Sequence, residues 1–185
     1  FDVTAGALSL QNIALRNGSA LDGGGAVSVA VGAGLEAVSA KFILNTADPQ
    51  TGLGGAVFSS GGPITATSSV FQENSGVSGG AIYALGSVRL QNTDFITNSA
   101  GSFGFGNGGA LYAAGVVGIQ GGQFTGNTLG GGNGGAIYLE TTGSLGAVNT
   151  RFINNQTGFS SVDYAGAIFS AGGPMTVAGG LFSGN

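Results

Sequence analysis

The side chains that could carry out acid–base chemistry are few and are spread along the whole chain. The 185 residues include eight carboxylates and four Lys or Arg, but no His and no Cys. The carboxylates are Asp2, Asp22, Glu36, Asp48, Glu73, Asp94, Glu140 and Asp163. Because His and Cys are absent, the usual zinc, haem, iron–sulfur and Ser-His-Asp sites are excluded. We therefore expect no catalytic residues, no cofactor and no metal site.

The positive charges are equally sparse. They are Arg16, Lys41, Arg89 and Arg151. Four dispersed cations cannot form the basic stripe that binding to nucleic acid or to anionic lipid requires. No apolar run approaches the roughly 20 residues of a membrane span. We expect a chain that binds no nucleic acid and contains no membrane span.

Glycine is the most informative feature of the composition. The chain has 40 Gly, is 42% hydrophobic and carries a net charge of only −4. This apolar content is too high, and this net charge too low, for a disordered chain. Three prolines and the absence of a Gly triplet period exclude collagen. Such a high Gly content in an apolar chain is typical of proteins built from internal repeats.

Two short motifs recur along the chain. Gly-Gly-Ala followed by an aliphatic residue begins at Gly24, Gly54, Gly79, Gly108 and Gly134, with a variant copy at Ala165. Phe-x-x-Asn occurs six times, at Phe42/Asn45, Phe71/Asn74, Phe95/Asn98, Phe124/Asn127, Phe152/Asn155 and Phe182/Asn185. Successive phenylalanines are 29, 24, 29, 28 and 30 residues apart. This spacing is the period of a solenoid.

A third regularity indicates the local structure of each repeat. Seven residues before each Phe there is a Leu, Ile, Val or Met, and a second apolar residue follows two positions later. An N-terminal coil follows the same rule with Leu8, Leu10 and Leu15. Apolar residues at i and i+2 form the inward face of a short strand. We predict an all-β, right-handed parallel β-helix of about six to seven coils with three short strands per coil.

Stacked coils place equivalent residues above one another. We expect the six phenylalanines to form a column inside the core and the six asparagines to form a hydrogen-bonded column at a corner, with each Asn in the left-handed conformation. The gap between Asn and the next Gly-Gly-Ala varies, so this corner should carry loops such as 46–53 and 99–107. We expect residues 1–185 to form one domain that is part of a longer or an assembling chain.

The residue after each aliphatic position forms a candidate contact surface. Five of the six are aromatic: Phe58, Tyr83, Tyr112, Tyr138 and Phe169. If the aliphatic residues point inwards, these aromatic residues point outwards and would form a stripe that binds a partner. The alternative is that they fold over a corner into the core.

The paired motifs resemble the repeats of the polymorphic outer-membrane proteins, which are best known from chlamydial surface proteins. The resemblance extends from Leu8 to Asn185. It implies a secreted or surface-exposed passenger β-helix, of the kind found in autotransporters, that acts in adhesion. It implies no catalytic residues.

We therefore expect a non-enzymatic extracellular or cell-surface protein that adheres or forms a structural or filamentous component. Its partner would be a molecule on a host or neighbouring cell, or copies of itself joined end to end or laterally through Tyr83, Tyr112 and Tyr138. One alternative is a polysaccharide-degrading β-helix enzyme, for which Glu36 and Arg89 share an outward column. Another is an ice-binding solenoid, for which only Thr65-Ala66-Thr67 has the Thr-x-Thr form.

Overall fold

The computed structural model describes residues 1–101, 106–158 and 164–185, and its strands are numbered here in chain order. All strand pairs in this part are parallel, and it contains no helix. Each coil adds one strand to each of three long sheets, so that strands stack along a solenoid axis. The predicted β-helix is confirmed.

The three long sheets have seven strands each. Sheet A contains β1 (Asp2–Val3), β5 (Val27–Val29), β9 (Val57–Ser59), β13 (Ile82–Ala84), β18 (Leu111–Ala113), β23 (Ile137–Leu139) and β27 (Ile168–Ser170). Sheet B contains β2 (Ala7–Gln11), β6 (Gly34–Val38), β10 (Ile64–Thr67), β14 (Val88–Gln91), β19 (Val116–Gln120), β24 (Ser144–Val148) and β28 (Met175–Ala178). Sheet C contains β3 (Ala14–Arg16), β7 (Lys41–Ile43), β11 (Val70–Gln72), β15 (Asp94–Ile96), β20 (Gln123–Thr125), β25 (Arg151–Ile153) and β29 (Leu181–Ser183).

A fourth sheet joins the three that the sequence predicts. Sheet D contains β4 (Ser19–Ala20), β8 (Thr46–Ala47), β12 (Ser75–Gly76), β16 (Ser99–Ala100), β21 (Thr128–Leu129) and β26 (Gln156–Thr157). A small fifth sheet pairs β17 (Gly106–Asn107) with β22 (Gly132–Asn133). These strands have only two residues, which is too short for an alternating pattern to be visible in the sequence.

The corners on either side of sheet C each contain a residue with positive φ, and a second such residue follows it at Gly122 and at Gly180. Between sheets B and C this residue is Asn12, Ser39, Ser68, Asn92, Gly121, Asn149 or Gly179, and between C and D it is Asn17, Leu44, Glu73, Thr97, Gly126, Asn154 or Gly184. The left-handed residue therefore immediately precedes each asparagine of the Phe-x-x-Asn motif. Our prediction that the asparagine itself has the left-handed conformation is wrong. The residue before it makes the turn, and the asparagine side chain points into the corner.

The two glycines of each Gly-Gly-Ala motif have different roles. The first has a positive φ, for example 67° at Gly108, which a residue with a side chain adopts only under strain. The second lies against the next coil, and a Cβ on Gly109 would collide with the carbonyl oxygen of Gly135. The motif thus allows the chain to turn and the coils to approach closely.

Candidate functional site

The phenylalanines of sheet C form a continuous stack along the axis. Neighbouring ring centroids are 4.5 to 5.1 Å apart and the planes are within 15° of parallel. The side chains of Phe42, Phe71, Phe95, Phe124 and Phe152 are fully buried, whereas Phe182 in the last coil is 49% exposed. Leu15 occupies the equivalent position in the first coil, in register with Phe42. The five buried rings build the core, and their faces are covered by their neighbours in the stack.

The asparagines form a second column, in which the amides from Asn45 to Asn155 bond to the coils on both sides. In Asn98, Oδ1 accepts hydrogen bonds from the backbone N–H and from Nδ2 of Asn74, at 3.0 and 2.9 Å. Its Nδ2 donates to the carbonyl oxygen of Phe71 at 2.9 Å and to Oδ1 of Asn127 at 3.0 Å. The same pattern links Asn45, Asn74, Asn127, Asn155 and Asn185.

This column satisfies its own polar groups. Five of its asparagines are completely buried, from Asn45 to Asn155. No buried side-chain nitrogen or oxygen in the described ranges lacks a hydrogen-bond partner. At the N-terminal end the column finishes on Gly18, whose N–H donates to Oδ1 of Asn45. These five asparagines are therefore structural, and their amides are not available to a ligand.

A shorter polar column was not predicted from the sequence. The backbone N–H of Asn107 donates to Oγ of Ser78 at 3.0 Å, and its Oδ1 accepts from the N–H of Asn133 at 3.1 Å. Oδ1 of Asn133 in turn accepts from the N–H of Tyr164. Each of these four residues directly precedes a Gly-Gly-Ala motif or its variant. Because their types differ from coil to coil, only their position before the glycines could have revealed the column.

The aromatic residues on the outer face of sheet A also stack on one another. From Phe58 through Tyr83, Tyr112 and Tyr138 to Phe169, neighbouring centroids are 4.2 to 5.8 Å apart. Tyr112 is 8% exposed and the other four side chains are half-buried. The column thus lies between the two arrangements that the sequence allowed. Since the rings cover each other's faces, they offer mainly edges and hydroxyl groups to a partner.

The centre of this column has a polar contact that the sequence did not reveal. The hydroxyl of Tyr112 donates a hydrogen bond to the Glu140 carboxylate, whose other oxygen accepts from the N–H of Thr141. Burial, and then the hydrogen bond to Glu140, raises the pKa of the Tyr112 phenol well above its ordinary value of about 10. Burial and the charge of Glu140 also raise the pKa of Tyr138. Glu140 therefore helps to hold the column together.

The remaining charged residues do not converge. Glu36, Thr65 and Arg89 are in register on the outer face of sheet B, so that two coil spacings separate the carboxylate from the guanidinium. Asp48 is engaged in its own loop, where the N–H groups of Gln50 and Thr51 lower the pKa of its carboxyl. Asp163 and residues 102–105 of the 99–107 loop lie outside the described residues. Within the described ranges, no three potential metal ligands are grouped.

Residues 68–85 of the chain match a family model. The matched segment is similar to a Chlamydia polymorphic membrane protein repeat. It contains Phe71 and Asn74 from the two ladders, together with the Gly-Gly-Ala-Ile motif that starts at Gly79, so that the resemblance seen in the sequence is confirmed at this coil. No curated protein and no solved structure matches the chain.

The polymorphic membrane protein repeat and the solenoid fold together suggest a surface or outer-membrane protein. The described segments include no helix that is both long enough and apolar enough to cross a bilayer.

Proposed function

We propose that this chain is a non-enzymatic, cell-surface solenoid that acts in adhesion or as a structural component of the surface. The observation that carries the proposal is the polymorphic membrane protein repeat at residues 68–85, whose Phe and Asn belong to the columns that build the rod. The motif residues thus specify a scaffold. Function then belongs to the outward side chains, which differ from coil to coil.

The geometry of the scaffold supports a role in surface binding. Three sheets present outward columns whose residues recur about every 4.8 Å along the axis. Because the Asn and Phe ladders fix the coils in register, a partner meets a preordered surface and loses little entropy of ordering on binding. The candidate contact surface on sheet A and the polar outer face of sheet B are the surfaces we assign to a molecule on a host or neighbouring cell.

Adhesion can be tested with beads coated with the purified chain. We expect saturable binding of these beads to monolayers of animal cells or to bacterial cells, and competition by the soluble chain. Beads coated with an unrelated folded protein of similar size and net charge are the control. If the two kinds of bead bind equally, the adhesive role is wrong.

The contribution of the candidate contact surface can be measured in the same assay. Changing Tyr83, Tyr112 and Tyr138 together to Ser removes the central rings of the column. A control variant, Gln50→Ala, alters an exposed position in the 46–53 loop, which lies outside both the candidate contact surface and the outer face of sheet B. Loss of binding in the first variant alone would support contact through the aromatic column, and equal binding in both would exclude it.

A further inference from the structure

The outer face of sheet C carries charged side chains that the core does not use. The middle residue of each sheet C strand from β7 to β25 is a buried Phe, and the residues before and after it point outwards. Three of the four cations in the chain lie on this face, namely Arg16, Lys41 and Arg151. Asp94 lies between the last two.

The residues before each Phe form a first outer column. In the five strands β11, β15, β20, β25 and β29 they are Val70, Asp94, Gln123, Arg151 and Leu181, paired in register. The order is apolar, negative, polar, positive, apolar. If a second copy of the column faces the first in reverse order, each charge meets its opposite and each apolar residue meets another apolar residue. The column is therefore complementary to its own reverse.

The residues after each Phe form a second outer column with the same property. In the same five strands they are Gln72, Ile96, Thr125, Ile153 and Ser183. The order is polar, apolar, polar, apolar, polar. Both columns have their centre on β20. Each of the two columns is thus complementary to its own reversed copy, with β20 as the middle strand in both cases.

We propose that the outer face of sheet C binds a second copy of this chain across a two-fold axis that runs along β20. The solenoid axes of the two copies are then antiparallel. The two-fold axis keeps each column opposite itself and reverses the order of the strands, as an isologous interface requires. Asp94 then faces Arg151 of the second copy, and the same pair forms again on the other side of the axis. Val70 faces Leu181, and Ile96 faces Ile153.

Other arrangements match less well. An axis along β15 would place Lys41 opposite Arg151 and Asp94 opposite itself, so that like charges meet. An axis along β11 pairs Lys41 with Asp94 but sets Ala14 against Gln123. If the two copies faced each other with their solenoid axes parallel, the first column of one copy would lie opposite the second column of the other. This arrangement places charged residues against isoleucines. The charge pattern therefore selects the axis along β20.

The size of the patch sets the strength that we expect. Five strands about 4.8 Å apart extend over roughly 20 Å. Two columns of that length bury less than the approximately 800 Å² per partner of a standard stable interface. The dimer should therefore be weak in dilute solution and should form where copies are concentrated, as on a surface. This inference names a partner for one face of the proposed surface component, but its test measures association, so that adhesion and self-association can fail separately.

The first test uses charge reversal and analytical ultracentrifugation of the purified chain. Asp94→Arg and Arg151→Asp each create two like-charge contacts across the axis, so each variant alone should associate about tenfold or more weakly than the parent chain. An equimolar mixture of the two variants should regain the parent association, because every contact in the mixed dimer joins opposite charges. A mixture that associates no better than the separate variants would overturn the proposal.

The second test needs no charge change. The chain contains no Cys, so one introduced thiol reports on one contact. Gln123→Cys places two thiols opposite each other at the axis, whereas Gln120→Cys places an exposed thiol on sheet B as a matched control. We expect disulfide-linked dimers from Gln123→Cys to form faster than those from the control. Equal rates, or a parent chain that stays monomeric at about 1 mM, would contradict the proposal.

Discussion

Asn98 shows how one residue type can build a buried polar column. Its amide accepts two hydrogen bonds from Asn74 and donates to Phe71 and to Asn127, while its side chain is completely buried. Asn provides both an acceptor and two donors on one short side chain, so that every group of a repeated column can find a partner in the next coil. A column of this kind stabilises the fold only if it is complete, since a gap leaves buried groups unpaired.

We expect Asn98→Ala to destabilise the protein by about 3 kcal/mol or more. The substitution leaves the backbone N–H and one of the two side-chain N–H groups of Asn74 without an acceptor, and it removes the amide that donates to the carbonyl oxygen of Phe71. Each unpaired buried group costs roughly 1–3 kcal/mol. Urea denaturation measures the change. The control is Asn149→Gly, at an exposed asparagine with a φ of 53° that glycine adopts freely, for which we expect a change within about 0.5 kcal/mol. Similar losses in the two variants would show that the column is not a stabilising element.

Two glycines of one coil, Gly109 and Gly118, differ in the space that a side chain would find. Gly118 is on the outer face of sheet B, its φ is not positive, and a Cβ there would meet no atom within 4 Å. Gly109 also lacks a positive φ, but a Cβ there would collide with backbone of the next coil. Only Gly109 is therefore required by the stacking of the coils.

The two substitutions to alanine should therefore have opposite signs. Gly118→Ala should stabilise the protein by about 0.5–1 kcal/mol, because it lowers the backbone entropy of the unfolded chain. Gly109→Ala should destabilise it by about 1–3 kcal/mol through overpacking. Parallel thermal melts compare the two. A loss of stability in Gly118→Ala would mean that the outer face of sheet B needs this glycine for a reason that the backbone does not show.

The aromatic column of sheet A should make the stability sensitive to alkaline pH. Burial and the Glu140 hydrogen bond raise the pKa of Tyr112 in the folded state. Above about pH 10 the unfolded chain loses this proton while the folded chain retains it, so that stability falls as the pH rises. Melting temperatures between pH 8 and pH 11 should decline less in Tyr112→Phe than in the parent chain. Equal slopes would indicate that Tyr112 titrates normally.

For the whole molecule, we predict that the chain does not cleave pectin, alginate or related polymers, with or without calcium. The physical reason is that the register of sheet B keeps Glu36 and Arg89 two coils apart, with Thr65 between them. The measurement is the release of reducing ends or of unsaturated products from each polymer. Turnover that is lost on mutation of Glu36, Asp94 or Glu140 would overturn the non-enzymatic function.

The repeat pattern by itself was enough to determine the β-helix and which residues stack. Phe and Asn recur with a constant internal spacing, and parallel stacking then requires Phe71 to lie beside Phe95 and Asn74 beside Asn98. The same pattern identified the family of the repeat at residues 68–85. Local spacing is sufficient here because each coil contacts mainly its immediate neighbours.

Only the tertiary structure decided how each column is used. Sheet D, the left-handed residue before each asparagine and the contact between Tyr112 and Glu140 depend on atoms that come together from different coils. The partial burial of the aromatic column was also undetermined, because strand alternation specifies a side but not what covers it. The reversed complementarity of sheet C became visible once the register had aligned Val70, Asp94, Gln123, Arg151 and Leu181. A sequence specifies each strand separately, whereas a surface is formed by strands that are distant along the chain.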